Sequence, residues 1–221
     1  MRKQILKDGT FIYTHDKGEY ISDVIEQTGW YYEPKTIEYI RNMNLKDCNI
    51  LDIGANVGNH TIAISKVANN CAVISFEPFE SNYKLLKHNQ TLHSNNNIQT
   101  YQYFVTSKEN SEDTFYINPV WGDCNLGYIK ESNSCGQEVT NHYIDLFKYS
   151  NLKLIKIDIE GHELEALKGA FNTIKKSNPC IIAEHHTKEE HLQVMDYLKQ
   201  FGYYLATIIE EDNLNYVYKP I

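Results

Sequence analysis

Residues Ile50-Leu51-Asp52-Ile53-Gly54-Ala55-Asn56-Val57-Gly58-Asn59-His60-Thr61 constrain the fold more than any other stretch of this chain. A short apolar strand ends at Gly54 and a helix begins near Asn59. The turn between them is predicted at the carboxyl end of a parallel sheet, where α/β folds bind ligands. Gly54 and Gly58 carry no β-carbon and let backbone approach a ligand closely. Their Gly-x-x-x-Gly spacing differs from the Gly-x-Gly-x-x-Gly of dinucleotide sites, and Asp52 just ahead would repel a pyrophosphate. A ligand bearing an amino acid head and a sulfonium would not be repelled. The competing structural reading is a tight strand–helix turn with no ligand.

The strand-then-helix pattern repeats along the chain. Apolar runs at 72–76, 98–105, 153–159 and 180–184 follow the first. A helix is expected over about 80–93, and one amphipathic helix after 159 carries Leu164, Leu167, Phe171 and Ile174 on one stripe. Thr187-Lys188-Glu189-Glu190 is a capping-box pattern that opens a helix running to about Gln200. Segments 203–209 and 214–218 flank a short polar turn and read as a C-terminal hairpin. Near-continuous apolar strands alternating with helices imply an α/β fold, a mostly parallel sheet with helices on both faces.

Residues 1–32 read as an N-terminal extension with a small hairpin around Asp8-Gly9, and Pro34 opens the first helix of a domain spanning 33–221. About 108–150 is too long for a simple crossover and reads as an insertion or lid, where acceptor selection is expected. Trp121, Tyr128 and Tyr143, beside Gly122, Gly127 and Gly136, offer aromatic faces for stacking on a sugar ring. Packing in a small satellite core explains them equally well.

Three other strand ends carry polar groups. Ser75-Phe76-Glu77-Pro78 places an acid at the tip of the second strand, where Glu77 would accept both hydroxyls of a ribose and Pro78 turns the chain away. In Ile155-Lys156-Ile157-Asp158-Ile159-Glu160-Gly161-His162-Glu163, alternation puts Lys156, Asp158 and Glu160 on one side. A lysine in a central strand needs a paired carboxylate, so a structural pair is the first reading of Lys156, whereas Asp158 at the strand end suits a site. Glu184, His185 and His186 follow the fifth strand. Glu184 and His185 are placed to join Asp158 as a base or as ligands of a divalent cation; a helix-start acid with solvated histidines is the alternative.

Composition excludes several classes. A formal net charge of −8 argues against a nucleic-acid partner. No run approaches about 18 apolar residues, and Met1 to Thr10 holds no apolar core, so neither a membrane span nor a secretory signal is expected. Five cysteines without Cys-x-x-Cys spacing fit free thiols in a reducing, cytoplasmic setting.

Together, residues 50–61, Phe76-Glu77-Pro78, the 155–170 segment, 181–186 and the upstream Gly29-Trp30-Tyr31-Tyr32-Glu33-Pro34 resemble the FkbM-type S-adenosylmethionine-dependent methyltransferases. The resemblance spans about 29–186, is weakest over 108–150, and meets one departure at His162, where the family often has a small residue. It implies a class I methyltransferase fold, a seven-stranded Rossmann-like sheet with its last strand antiparallel. It also implies S-adenosylmethionine as cofactor and O-methylation of a hydroxyl on a sugar, glycan or other small molecule. Cofactor-binding candidates are Asp52, Gly54, Ala55, Asn56, Gly58, Asn59, Glu77 and Pro78. Catalytic candidates are Asp158, Glu184 and His185, with Mg2+ or a similar cation left open; Glu160 and Glu163 also read as helix-start acids. An inactive cofactor-binding module in a glycan-assembly complex is the alternative. A nucleic-acid methyltransferase is less favoured, because Asp158-Ile159-Glu160-Gly161 lacks the Pro-Pro that would hold a flipped base, and an NAD-dependent oxidoreductase lacks its glycine spacing.

Overall fold

A computed structural model of the protein describes residues 1–94, 97–108, 115–117 and 137–221. The chain begins with strands β1 (Arg2–Ile5) and β2 (Phe11–Thr14), an antiparallel hairpin, and helices α1 (Tyr20–Thr28) and α2 (Pro34–Asn42). Then come β3 (Asn49–Ile53), α3 (Asn59–Val67), β4 (Ala72–Phe76), α4 (Glu80–Leu92) and β5 (Ile98–Tyr101). Short strands β6 (Phe104–Val105), β7 (Phe115–Ile117), β8 (Gln137–Val139) and β9 (Asn141–His142) pair outside the main sheet, β6 with β9 and β7 with β8. The remainder is β10 (Leu152–Ile157), α5 (Glu163–Lys168), α6 (Phe171–Ser177), β11 (Cys180–Glu184), α7 (Lys188–Lys199), β12 (Tyr203–Glu210) and β13 (Leu214–Pro220).

Seven strands form one sheet in the order β12-β13-β11-β10-β3-β4-β5. The five strands from β11 to β5 are mutually parallel, whereas β13 runs antiparallel to both β11 and β12. This is the class I methyltransferase sheet. Its order reverses beside β3, so the chain leaves β3 and β10 in opposite directions and opens a crevice at their carboxyl ends.

Strand alternation divides the core. Leu51, Ile53, Ile155 and Ile157 pack with Leu167, Ile174, Val194 and Leu198 under α5, α6 and α7. Ile50, Leu154, Ile182 and Val217 pack with Ile40 and Ile64 under α2 and α3. The N-terminal segment is seated by Asn89 of α4, whose amide accepts from the Tyr13 nitrogen at 2.7 Å and donates to the Tyr13 carbonyl at 2.8 Å.

Three details differ from the sequence reading. The run 98–105 is split into β5 and β6. The helix expected after 159 is broken into α5 and α6 at Gly169, where a β-carbon would sit 2.1 Å from the Thr106 carbonyl oxygen. Asp145 then accepts from the backbone nitrogens of Asn172 and Thr173, capping the second piece, and Phe171 stands exposed. Helix α1, which no motif announced, is held by Glu19 accepting from the nitrogens of Ile21 and Ser22. Trp121 and Tyr128, with Gly122, Gly127 and Gly136, lie outside the described residues. Among the described residues no helix is long and apolar enough to cross a membrane.

Candidate active site

A cleft of about 260 Å3 opens over the carboxyl ends of β3, β4, β10 and β11. Of the residues expected to hold a cofactor, Gly54, Ala55, Asn56, Asn59, Glu77 and Pro78 line it, and so do Asp158 and Glu184. Asp52, Gly58 and His185 are not among its lining residues.

The loop after β3 is shaped by internal contacts. A β-carbon on Gly54, at φ +85°, would lie 1.7 Å from the Asp158 carbonyl oxygen; one on Gly58, at φ +95°, would lie 2.9 Å from Leu86 Cδ1. Both glycines therefore admit protein atoms of their own chain where the sequence reading had them admit a ligand. Asn59 is likewise committed: its amide accepts from the Tyr32 nitrogen at 2.9 Å and donates to the Tyr32 carbonyl at 3.0 Å. It fastens the approach to α2 onto the start of α3.

Glu77 sits just past β4 with its carboxyl buried. One oxygen accepts from the Asn56 nitrogen at 2.8 Å and the other from the Phe79 nitrogen at 2.9 Å. Each carboxylate oxygen has two acceptor positions, so each keeps one for a ligand hydroxyl. Burial pushes the Glu77 carboxyl up to about 7, although the Phe79 and Asn56 amides pull the other way.

Asp52, Lys156 and Ser75 occupy one row across the sheet. Asp52 is buried beneath the cleft, where one oxygen accepts from Thr61 Oγ1 at 2.6 Å and the other has no hydrogen-bond partner. Lys156 reaches Asp158 at 3.0 Å. Burial alone would raise Asp158, but the Lys156 ammonium overrides it and holds the carboxyl below its usual range. Glu184, hydrogen-bonded to Asp158, is pushed up to about 10 by burial and by the neighbouring Asp158 and Glu33 charges. At neutral pH the two acids thus divide their roles, Asp158 charged and Glu184 carrying a proton.

His185 falls on the other face of the sheet, because successive residues of a strand point oppositely. Its Nε2 lies 3.0 Å from the Tyr218 hydroxyl and its ring packs on Tyr216, so His185, which the sequence reading placed among the catalytic candidates, stands in the core and outside the cleft lining. His162 bonds Thr106 Oγ1 at 2.9 Å and packs on Phe104. Glu163 accepts from the nitrogens of Ile159 and Gly161, closing the turn after β10. That turn departs from extended geometry at Glu160, φ +56°, so the alternation expected through Glu160 ends at Asp158; Glu160 lines the cleft and meets His186 Nε2 at 2.7 Å.

Sequence reasoning missed the walls. Tyr20 and Ile21 of α1, Tyr32, His60, and Asp212 and Asn213 from the β12–β13 turn all line the cleft. Tyr20 donates to Asp212 at 2.9 Å, joining segments 192 positions apart. His60 lay inside the strongest motif and Tyr32 inside the 29–34 stretch, and both were legible there; the others carry no local signal. Among the described residues no group of three or more His, Cys, Asp or Glu is arranged to hold a metal ion, so the cation left open by the sequence has no such donor set there.

Comparison with known proteins adds three findings. The family described as methyltransferase FkbM domain matches residues 52–205. Hexuronic acid methyltransferase AglP of Haloferax volcanii is 25% identical over 141 residues, 63% of this chain and 57% of that protein. Methyltransferase 1 of Beauveria bassiana is 23% identical over 145 residues, 56% of this chain and 58% of that protein. The chain therefore spans a little over half the length of the curated relatives it matches. Among solved structures, the methyltransferase FkbM of Methylobacillus flagellatus superposes with a TM-score of 0.59 at 21% identity, covering 79% of this chain and 44% of that one. A SAM-dependent O-methyltransferase of Thermotoga maritima gives 0.54 at 10% identity, over 91% and 71%. These structural likenesses show the shared fold.

Proposed function

The chain belongs to the FkbM methyltransferase family, and on that premise we propose that it is an S-adenosylmethionine-dependent O-methyltransferase acting on a hydroxyl of a sugar, glycan or other small molecule. The observation that carries this reading is the placement of two buried acidic centres on either side of β3 along one cleft: Glu77 beyond β4, and Asp158 with Glu184 beyond β10 and β11.

The residues present suit the cofactor. Glu77 keeps one acceptor position on each oxygen, which matches a vicinal ribose diol. Charge points the same way. Asp52, beneath the cleft, has a buried oxygen without a hydrogen-bond partner among the described residues, and Lys156 is already engaged with Asp158. Unmatched negative charge behind the lining residues favours a cationic ligand in the cleft. When bound, the cofactor supplies a sulfonium methyl open to in-line displacement by an oxygen.

The chain's own contribution is orientation. The charged Asp158 accepts a hydrogen bond from a hydroxyl of the acceptor beside the one that is methylated, while protonated Glu184 donates to Asp158 and fixes its direction. Lys156 keeps Asp158 ionised inside the cleft. Holding reacting atoms about 3 Å apart in line supplies a large part of the rate of such displacements.

The relative that acts on hexuronic acids makes a uronic acid glycoside the first acceptor to try. Calorimetry should show binding of S-adenosylhomocysteine, and mass spectrometry a gain of one methyl on methyl glucuronoside or a related saccharide. Tight cofactor binding with no methyl transfer to any hydroxyl acceptor would favour the non-catalytic binding module.

A further inference from the structure

Displacement at an oxygen requires a place for the hydroxyl proton, and the acids of the cleft are committed. Asp158 is paired with Lys156, Glu160 with His186, Glu184 already carries a proton, Glu77 receives two backbone N–H groups, and Asp212 receives Tyr20. His60 is placed differently. It stands in the first turn of α3, 5% exposed, and lines the cleft. Its Nε2 lies 3.3 Å from Glu33 Oε2, and among the described residues neither buried atom has a hydrogen-bond partner elsewhere. Such contacts are often loose before substrate binds and tighten in the loaded enzyme.

Glu33 is itself fixed. Its Oε1 accepts from Asn215 Nδ2 at 2.8 Å. Its backbone is left-handed, φ +52°, immediately ahead of Pro34, a costly conformation for a non-glycine residue that persists only where the surroundings enforce it. A carboxylate facing Nε2 keeps the ring proton there and leaves the lone pair on Nδ1. Base and orienting acid held by a third group form the arrangement that activates hydroxyls.

We propose that His60 is the general base that removes the acceptor hydroxyl proton, with Glu33, fixed by Asn215, as the positioning residue that sets its tautomer. The proposal rests on the O-methyl transfer reading above. As the oxygen–methyl bond forms, the sulfur–methyl bond breaks and its electron pair stays on sulfur, which becomes a neutral thioether. The hydroxyl proton passes to His60 Nδ1, and Glu33 faces the resulting imidazolium until it releases the proton to water. The other titratable groups along this cleft are Tyr20 of α1, Tyr32 beside Glu33, Glu77 after β4, Lys156 and Asp158 on β10 and its end, Glu160 after it, Glu184 of β11 and Asp212 of the last turn.

The test combines nitrogen-15 NMR of the full chain with kinetics on methyl glucuronoside. The wild type should show the Nε2-protonated tautomer at His60, identified by its loss in His60→Gln, both alone and with S-adenosylhomocysteine. His60→Gln should lower kcat by roughly 10²–10³ while S-adenosylhomocysteine affinity stays within about threefold. Glu33→Gln should let the Nδ1-protonated tautomer of His60 appear in the nitrogen-15 spectrum, which a purely structural role would not do. An Nδ1-protonated tautomer in the wild type overturns the proposal whether or not the variants fold. So does a folded His60→Gln with wild-type kcat and pH profile. A wild type that binds S-adenosylhomocysteine but methylates no hydroxyl acceptor sinks the O-methyl transfer reading, and this proposal falls with it.

Discussion

The carbonyl oxygen of Asp158 occupies the place where a β-carbon on Gly54 would stand, 1.7 Å from it. The tip of β10 is thus pressed against the loop after β3, and the Asp158 carboxylate is tied to a loop that lines the same cleft. The Asp158 nitrogen donates to the Ile53 carbonyl at 2.9 Å, which locks the same contact from the other side. A methyl group at position 54 would have to push the two strand ends apart.

Gly54→Ala should therefore be the most damaging single-carbon change in the loop. The obstacle is backbone and φ is left-handed, so a cost on the order of 3 kcal/mol or more is expected. Gly58→Ala meets only the end of Leu86 and should cost visibly less in thermal denaturation. Equal melting temperatures for the two variants would contradict this account.

Removing Asp158 should cost both stability and turnover. Asp158→Asn leaves the Lys156 ammonium buried without its partner, worth about 3–5 kcal/mol, and lets the acceptor drift, which lowers kcat by roughly 10². Lys156→Met combined with Asp158→Asn should recover part of the stability but none of the turnover. Chemical denaturation of the two single variants and the double variant measures the coupling.

Glu77→Ala should weaken S-adenosylhomocysteine binding by about 2 kcal/mol or more, because ribose hydroxyls and two loop amides lose their acceptor together. Glu77→Gln keeps one carbonyl acceptor and should fall between the two. Calorimetry giving equal affinity for all three forms would remove Glu77 from the cofactor site.

Stability should decline above neutral pH, and Glu184 should carry the decline. An unfolded glutamate releases its proton near its ordinary 4.5, whereas folded Glu184 holds it to about 10. Between those values the native state binds more protons than the unfolded chain, so stability falls as pH rises. Glu77 and Glu163 add to the fall only up to about 7. His162 and His185, pushed down to about 4 by burial, act in the opposite sense and only below their ordinary 6.5. Melting temperatures of Glu184→Gln should be flatter than wild type between pH 7 and 9.

His185→Gln should lower the melting temperature while leaving kcat within about threefold of wild type. The ring packs on Tyr216 and bonds the Tyr218 hydroxyl, away from the cleft lining. A large loss of kcat in a folded, stable variant would return His185 to the catalytic group.

The sequence by itself determined the alternation of strands and helices, the mostly parallel sheet it implies, and the polar tips that line the cleft. Gly54, Glu77, Asp158 and Glu184 were legible because each ends an apolar run, and period-two alternation and helix caps are local properties of consecutive residues. What alternation could not say is where a strand stops: β10 ends at Ile157, and the turn after it brings Glu160 to His186 while Glu160 still lines the cleft; His185, just past the end of β11, follows that strand's alternation into the core. Only the tertiary structure decided the pairings. Tyr20 meets Asp212, Glu33 meets His60 and Asn215, and Asn59 holds Tyr32 across separations of 27 to 192 positions. Such contacts follow from how helices settle on an open sheet, and a strained Glu33 backbone or a proton held by Glu184 beside a charged Asp158 exists only once burial has brought the groups together.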